Sequence, residues 1–227
     1  MLIAVMGDSG SGKTLSLKTL DPKTTIIIDA DKKGLPWKGW QEQYSTEKKN
    51  YFTIDSPDFA RKFLMNINTS SPHVKTLVID SINSIMIADE IRRSKEKNYD
   101  RWLDLATCIY DIIDHALFAR KDLNVICTAL TQVDREDSGY IFTHIMTSGK
   151  KLNRITLEAK FPVVLLAKCI DGKYVFETHA KNSTVKTPLG AFEADEIPND
   201  MQAVLDALNE YQCTSCVARD TSEKKQE

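Results

Sequence analysis

The sequence predicts an α/β fold, a mainly parallel and doubly wound sheet flanked by helices, with a C-terminal β-hairpin. Three observations predict it. Short apolar runs, LIAVM (2–6), TTIIIDA (24–30), VKTLVID (74–80) and LNVICTAL (123–130), read as strands buried on both faces. Helical signals alternate with these runs, as parallel pairing demands, because each crossover needs a dozen or more residues. Near the end, PVVLLAKCI and YVFETHAK flank Asp171-Gly172, a two-strand pattern joined by a turn. With 227 residues, 42% hydrophobic and 27% charged, the chain supports one domain with a sizeable core. That domain is expected over 1–212, and the polar stretch 213–227 is expected to be disordered.

The elements follow in order. Leu2 to Met6 form the first strand, and Leu15 to Leu20 continue as a helix after a glycine-rich turn. The second strand is 24–30, with YFTID (51–55) as a short extension. Ser56-Pro57-Asp58 opens a helix by cap and first-turn proline, running to about Asn66. After the third strand, 81–98 reads as a helix that becomes highly charged in its second half. From Arg101 to Arg120, Trp102, Leu105, Ala106, Ile109, Ile113, Ala116 and Leu117 recur at helical spacing and make one apolar face. The fourth strand, the hairpin and a helix at about 199–211 complete the chain, and no internal repeat is present.

The chemistry begins at GDSGSGKT. Gly7, Gly12, Lys13 and Thr14 fill the pattern G-x-x-x-x-G-K-[ST], between the strand and the helix that the motif requires. A loop this bare of side chains points successive backbone N–H groups at an anion. Gly7, Asp8, Ser9, Gly10, Ser11, Gly12, Lys13 and Thr14 are therefore the expected ATP-binding residues. Lys13 pairs with the outer phosphates and Thr14 completes the shell of Mg2+. Asp80 closes the third strand, at the carboxyl edge where α/β sheets bind ligands, and is the second expected magnesium residue. Many P-loop ATPases carry a water-activating glutamate next, but here the next residue is Ser81. The second strand ends Ile28-Asp29-Ala30-Asp31 at the same sheet edge, so Asp31 is the candidate to orient or deprotonate the attacking water. Asp29 is the runner-up, expected to turn into the structure.

With GDSGSGKT, I-D-A-D and LVIDS in this order, the chain resembles the RecA-type recombinase ATPase core. Within that superfamily it is most similar to the small phage ATP-binding proteins of the single-strand-annealing Sak group, over roughly 1–211. The resemblance implies a RecA-like P-loop NTPase fold, an ATPase activity, and a role in DNA recombination or single-strand annealing. It implies Asp31 in place of the family's catalytic glutamate, one methylene shorter, and Gln132 as the polar sensor just beyond the fourth strand. It also implies a homo-oligomer, in which Lys181 or Lys186 reaches the phosphates of the next subunit. The chain starts directly on its first strand, so an oligomer is expected to use the core surface. Single-stranded DNA is the expected partner, together with a single-strand-binding protein. The long segment 131–160 lies where RecA-like proteins carry a mobile DNA-binding loop; there Lys150, Lys151 and Arg154 would neutralise phosphates while Tyr140 or Phe142 stacks on bases. Two other classes stay in view: a nucleotide-dependent scaffold with little hydrolysis, and a P-loop small-molecule kinase.

Composition bounds the rest. A net charge of −2 argues against a surface coated with basic residues. With no leader-like start and no apolar run of membrane-spanning length, a cytoplasmic protein is expected, in the host cytoplasm for a phage protein. Cys108, Cys127 and Cys169 fall inside apolar patterns, and Cys213 and Cys216 form a lone C-x-x-C without a second ligand pair, so reduced thiols are expected. The histidines at 73, 115, 144 and 179 show no ligand spacing. Arg92, Arg93, Lys95 and Lys97, interrupted by Glu90 and Glu96, read as a solvated helix end, and Trp37 and Trp40 as packing residues.

Overall fold

A computed structural model describes residues 1–96, 101–135, 141–147 and 156–212, with backbone only for 101–106. The described elements are β1 (Leu2–Gly7), a 3₁₀ turn (Leu15–Thr19), β2 (Thr25–Asp29), α1 (Trp40–Gln43), β3 (Tyr51–Phe52), α2 (Pro57–Ser70), β4 (Thr76–Asp80), α3 (Ile82–Arg92), α4 (Arg101–Leu117), β5 (Asn124–Arg135), β6 (Ile141–Ile145), a second 3₁₀ turn (Leu157–Lys160), β7 (Val163–Ile170), β8 (Lys173–Glu177), β9 (Glu196–Pro198) and α5 (Met201–Gln212). The sheet runs β3-β2-β4-β5-β1-β7-β8-β9, with β6 attached to β5. From β3 to β7 every pairing along that path is parallel; β8 and β9 close the far edge antiparallel.

β1 shows why the apolar runs become central strands. Leu2, Ala4 and Met6 face one apolar cluster with the α2, α3 and α4 residues Leu64, Ile85 and Ile113. Ile3 and Val5 face the other, with Leu17, Trp37, Tyr44 and the α5 residues Val204 and Leu208. A strand covered on both faces has no solvent side, so its sequence does not alternate. Trp37 is buried and packs edge-on against Tyr44, with centroids 6.2 Å apart, while Trp40 lies 5.1 Å from the Tyr51 ring. Both tryptophans are packing residues. Among the described residues no helix is long and apolar enough to cross a membrane.

Several boundaries differ from the sequence reading. The segment after the glycine-rich loop is a five-residue 3₁₀ turn rather than an α-helix. Pro22, two residues beyond Leu20, has no N–H to give and biases Asp21 away from helix, so the turn cannot lengthen. α3 stops at Arg92, whose guanidinium pairs with Asp55 at 2.8 Å; Arg93 pairs with Glu96 at 2.9 Å, and the charged end is a solvated ion-pair network. The largest difference is β5. It does not end at Leu130 but continues to Arg135 and pairs with β6, Thr131 opposite Ile145 and Arg135 opposite Ile141. The stretch expected to be one long loop therefore starts as an antiparallel ribbon. Its strand character lies in T-Q-V and I-F-T-H-I, where alternation is weak because each strand carries polar residues on both faces. Phe142 lies in this ribbon, its ring stacked 5.9 Å from His144, whereas Tyr140, Lys150, Lys151 and Arg154 lie outside the described residues. The Asp171-Gly172 turn has φ of 50° and 77°, the left-handed pair that a two-residue hairpin requires. Cys127 is buried, but Cys169 is exposed, because β7 overshoots the sheet edge before turning. Cys213, Cys216 and the stretch 213–227 lie outside the described residues.

Candidate nucleotide site

β1, β2 and β4 point their carboxyl ends at one edge of the sheet, and the loops leaving them enclose a cleft of about 750 Å³. That size suits a nucleotide, within the ~300–1,000 Å³ of small-ligand sites. Its walls include Ser9, Gly10, Gly12, Lys13, Thr14, Asp31, Lys33, Asp80, Ser81, Ser84, Leu130 and Tyr174. Gly7, Asp8 and Ser11 complete the loop just behind it.

The glycines are required by their positions. Gly10 and Gly12 have φ of 80° and 95°, a region that side chains resist. A Cβ on Gly12 would stand 2.6 Å from the Tyr174 ring, and one on Gly7 would stand 2.7 Å from the Ala167 carbonyl oxygen. Inside the loop the Ser11 hydroxyl is buried with no hydrogen-bond partner. The Lys13 ammonium folds back and donates to the Gly7 and Asp8 carbonyl oxygens, 2.7 Å from each. Burial lowers its pKa from 10.5 to about 8, against the pull of Asp80, so this cation is held where water solvates it poorly. An anion entering the cleft relieves that deficit.

Thr14 and Asp80 meet in the same cleft, the Thr14 hydroxyl donating to Asp80 Oδ2 at 2.8 Å. Thr128, in β5 between β1 and β4, donates to the other carboxylate oxygen. Burial pushes the Asp80 carboxyl up, against the Thr128 and Thr14 hydrogen bonds and the Lys33 charge. A hydroxyl and a carboxylate side by side, beside a loop that has an orphaned buried hydroxyl, fit a hard cation that takes its other oxygens from phosphate and water. Among the described residues no group of three or more His, Cys, Asp or Glu is arranged to hold a metal.

The two acids after β2 separate cleanly. Asp29 is fully buried; its Oδ1 accepts from Lys32 N at 2.8 Å, and its Oδ2 from Gly34 N at 2.8 Å and the Tyr51 hydroxyl at 2.6 Å. It is the clamp that shapes the 31–34 turn, and it turns into the structure. Asp29→Ala is expected to destabilise the fold by about 2–4 kcal/mol, because it orphans two backbone donors and a buried hydroxyl. A chemical-denaturation midpoint unchanged from wild type would show that the turn holds itself. Asp31 lies in the cleft. Its Oδ1 accepts from the Ser81 hydroxyl at 3.1 Å and from the Ser84 hydroxyl, and its Oδ2 from the Lys33 ammonium. Burial raises the Asp31 pKa, but the hydrogen bonds of Lys33, Ser84 and Ser81 outweigh it and hold the carboxyl below the ordinary aspartate range. Ser81, at the position where many relatives in chemistry carry an acid, also caps α3 by accepting from Ser84 N at 3.3 Å.

The remaining expected residues lie elsewhere. Gln132 does not reach the cleft; its amide nitrogen is 3.1 Å from His144 Nε2 across the ribbon, because β5 runs on past the site. The β5 side chain that touches Asp80 is Thr128 instead. Lys181 is exposed and paired with Asp195 at 3.0 Å, and Lys186 donates to the Ala159 carbonyl oxygen at 3.3 Å. Neither lines this chain's own cleft. Sequence reading passed over Lys33, Ser84, Thr128 and Tyr174. The first two had a signal, since D-A-D-K-K-G and D-S-I-N-S each place charged or hydroxyl residues within four positions of an acid.

The fold and this cleft define a P-loop nucleotide-binding domain of the ATPase type. The chain belongs to the AAA domain family, whose family model matches residues 1–184; such domains generally use ATP and Mg2+. No curated protein matches it.

Proposed function

We propose that the chain is a magnesium-dependent ATPase whose turnover is coupled to single-stranded DNA, serving recombination or strand annealing in the manner of the phage Sak group. The observation that carries the catalytic part is the convergence of Lys13, Thr14, Asp80 and Asp31 on one cleft. In this reading the loop N–H groups and Lys13 bind the phosphates, Thr14 and Asp80 hold Mg2+, and Asp31 orients the attacking water. Bound Mg2+ neutralises charge on the phosphate oxygens. Asp31 is positioned for its role by two hydroxyls, of Ser81 at the cap of α3 and Ser84 in its first turn, rather than by its own length.

Coupling to DNA is supported by the ribbon. Thr131, the first residue beyond the cleft on β5, donates its hydroxyl to Asp8 in the phosphate loop, so the root of the β5–β6 ribbon is tied to that loop. A strand bound further out on 131–160, with Lys150, Lys151 and Arg154 as phosphate contacts, pulls on the same loop. In a homo-oligomer, Lys181 and Lys186, both exposed and each held by one surface contact, would be the cations that reach a neighbour. A single-strand-binding protein fits the same role as a partner on the DNA.

ATP hydrolysis measured with and without single-stranded DNA tests the reading. Stimulation of about tenfold or more is expected; unchanged turnover rejects the coupling. One observation favours a second reading, a nucleotide-dependent scaffold: both Asp31 oxygens are already engaged. Tight ATP binding without turnover, with or without DNA, selects that reading.

A further inference from the structure

Lys33 is the second cation of the cleft, and nothing in the phosphate-loop pattern accounts for it. Its backbone is fixed. Asp29 takes the N–H groups on either side of it, Lys32 N and Gly34 N, both at 2.8 Å, and Gly34, at φ 76°, reverses the chain beneath the Trp40 ring. Its side chain is free by comparison, 53% exposed and anchored through the ammonium on Asp31 Oδ2. An exposed side chain thus stands on a fixed backbone. It lines the same cleft as Lys13 and Thr14, and its charge is felt by both Lys13 and Asp80.

We propose that Lys33 is a cis-acting ligand of the terminal phosphate, which it reaches by leaving Asp31, so that the site distinguishes nucleoside triphosphate from diphosphate. The proposal rests on the nucleotide reading above. Three features support the exchange. Asp31 lines the cleft in which a terminal phosphate would compete with it as an acceptor, and that phosphate would carry about twice the charge. Asp31 is not released when Lys33 departs, because Ser81 and Ser84 hold its other oxygen. The oxygen that Lys33 vacates is the one then free to accept from water. A triphosphate thereby unmasks the acid, and a diphosphate leaves it covered.

The competing account makes Lys33 a permanent counter-ion of Asp31, and equilibrium binding separates the two. Wild type, Lys33→Met and Lys33→Arg would be titrated, in Mg2+, with ADP and with an imido-linked, non-hydrolysable ATP analogue. Losing one charge-assisted hydrogen bond to phosphate should lower analogue affinity about ten- to a hundredfold in Lys33→Met and leave ADP affinity within about twofold. Lys33→Arg should keep most of the preference. Should Lys33→Met fail to fold, Asp31→Asn gives an independent measure: by removing the competing charge it should raise the preference for the analogue over ADP. Equal changes for both nucleotides, or none, overturn the proposal and leave the nucleotide reading standing. A wild-type chain that binds neither nucleotide overturns both.

Discussion

Lys13→Ala is expected to abolish ATP turnover, by more than about a thousandfold, and to weaken ATP binding by at least about tenfold. The cation is 8% exposed and satisfied by two loop carbonyls at 2.7 Å, an arrangement that leaves it poorly solvated and ready for an anion. Its pKa of about 8 records the penalty of keeping that charge under cover. The variant should therefore fold close to wild type, because alanine removes a charge that burial penalises, which offsets the two loop hydrogen bonds it loses. The pairing of intact stability with lost function is the distinguishing result. A thermal midpoint that falls with activity would assign Lys13 a structural role, and unchanged turnover in a folded variant would remove the phosphate-loop assignment. Asp80→Asn acts on the other side of the cleft. It should weaken the dependence of ATP binding on Mg2+, because an amide oxygen is a poorer partner for a hard cation than a carboxylate.

The parallel part of the fold was legible because β1, β2, β4 and the Val125 to Ala129 stretch of β5 are buried on both faces, and burial on both faces writes itself as an unbroken apolar run. The site was legible where chemistry dictates spacing, as in the phosphate loop, or where a strand end dictates position, as with Asp31 and Asp80. The ribbon was not legible. Its strands expose both faces in part, so neither a continuous run nor a clean alternation marks them. Gln132 was misplaced for the same reason: a residue beyond an assumed strand end was free to turn into the site, whereas a residue within a longer strand cannot. Ser84 and Thr128 were missed because their roles come from what faces them across the cleft, and Lys33, only two residues past Asp31, because a charged pair at that spacing reads as an ordinary solvated turn. Ser84 is 53 residues from Asp31, and Thr128 is 48 from Asp80; no local pattern relates them.

Asp31→Asn should leave ATP affinity undiminished while slowing turnover about a hundred- to ten-thousandfold, the range of a positioned general base. The substitution keeps shape and an acceptor oxygen for the Ser81 and Ser84 hydroxyls, so the side chain stays where it is. It removes the negative charge that would polarise water and that holds Lys33. Ground-state binding through the phosphate loop does not draw on Asp31, whose loss frees Lys33 and so can only tighten triphosphate binding, and a group that acts as the water moves shows its loss in kcat. Placement compensates for the short acid: a glutamate reaches further, but Asp31 is presented to the cleft by two hydroxyls from across the β2–β4 junction. Ser84→Ala should consequently lower kcat in the same direction by a smaller factor, about tenfold, because the carboxylate survives but loses part of its orientation. Steady-state rates beside equilibrium binding decide the matter. If Asp31→Asn hydrolyses ATP at the wild-type rate, the base lies elsewhere, and Asp29 cannot replace it, since both of its oxygens are committed to the turn and to Tyr51. If binding and turnover fall together, Asp31 shapes the pocket and does not act on water.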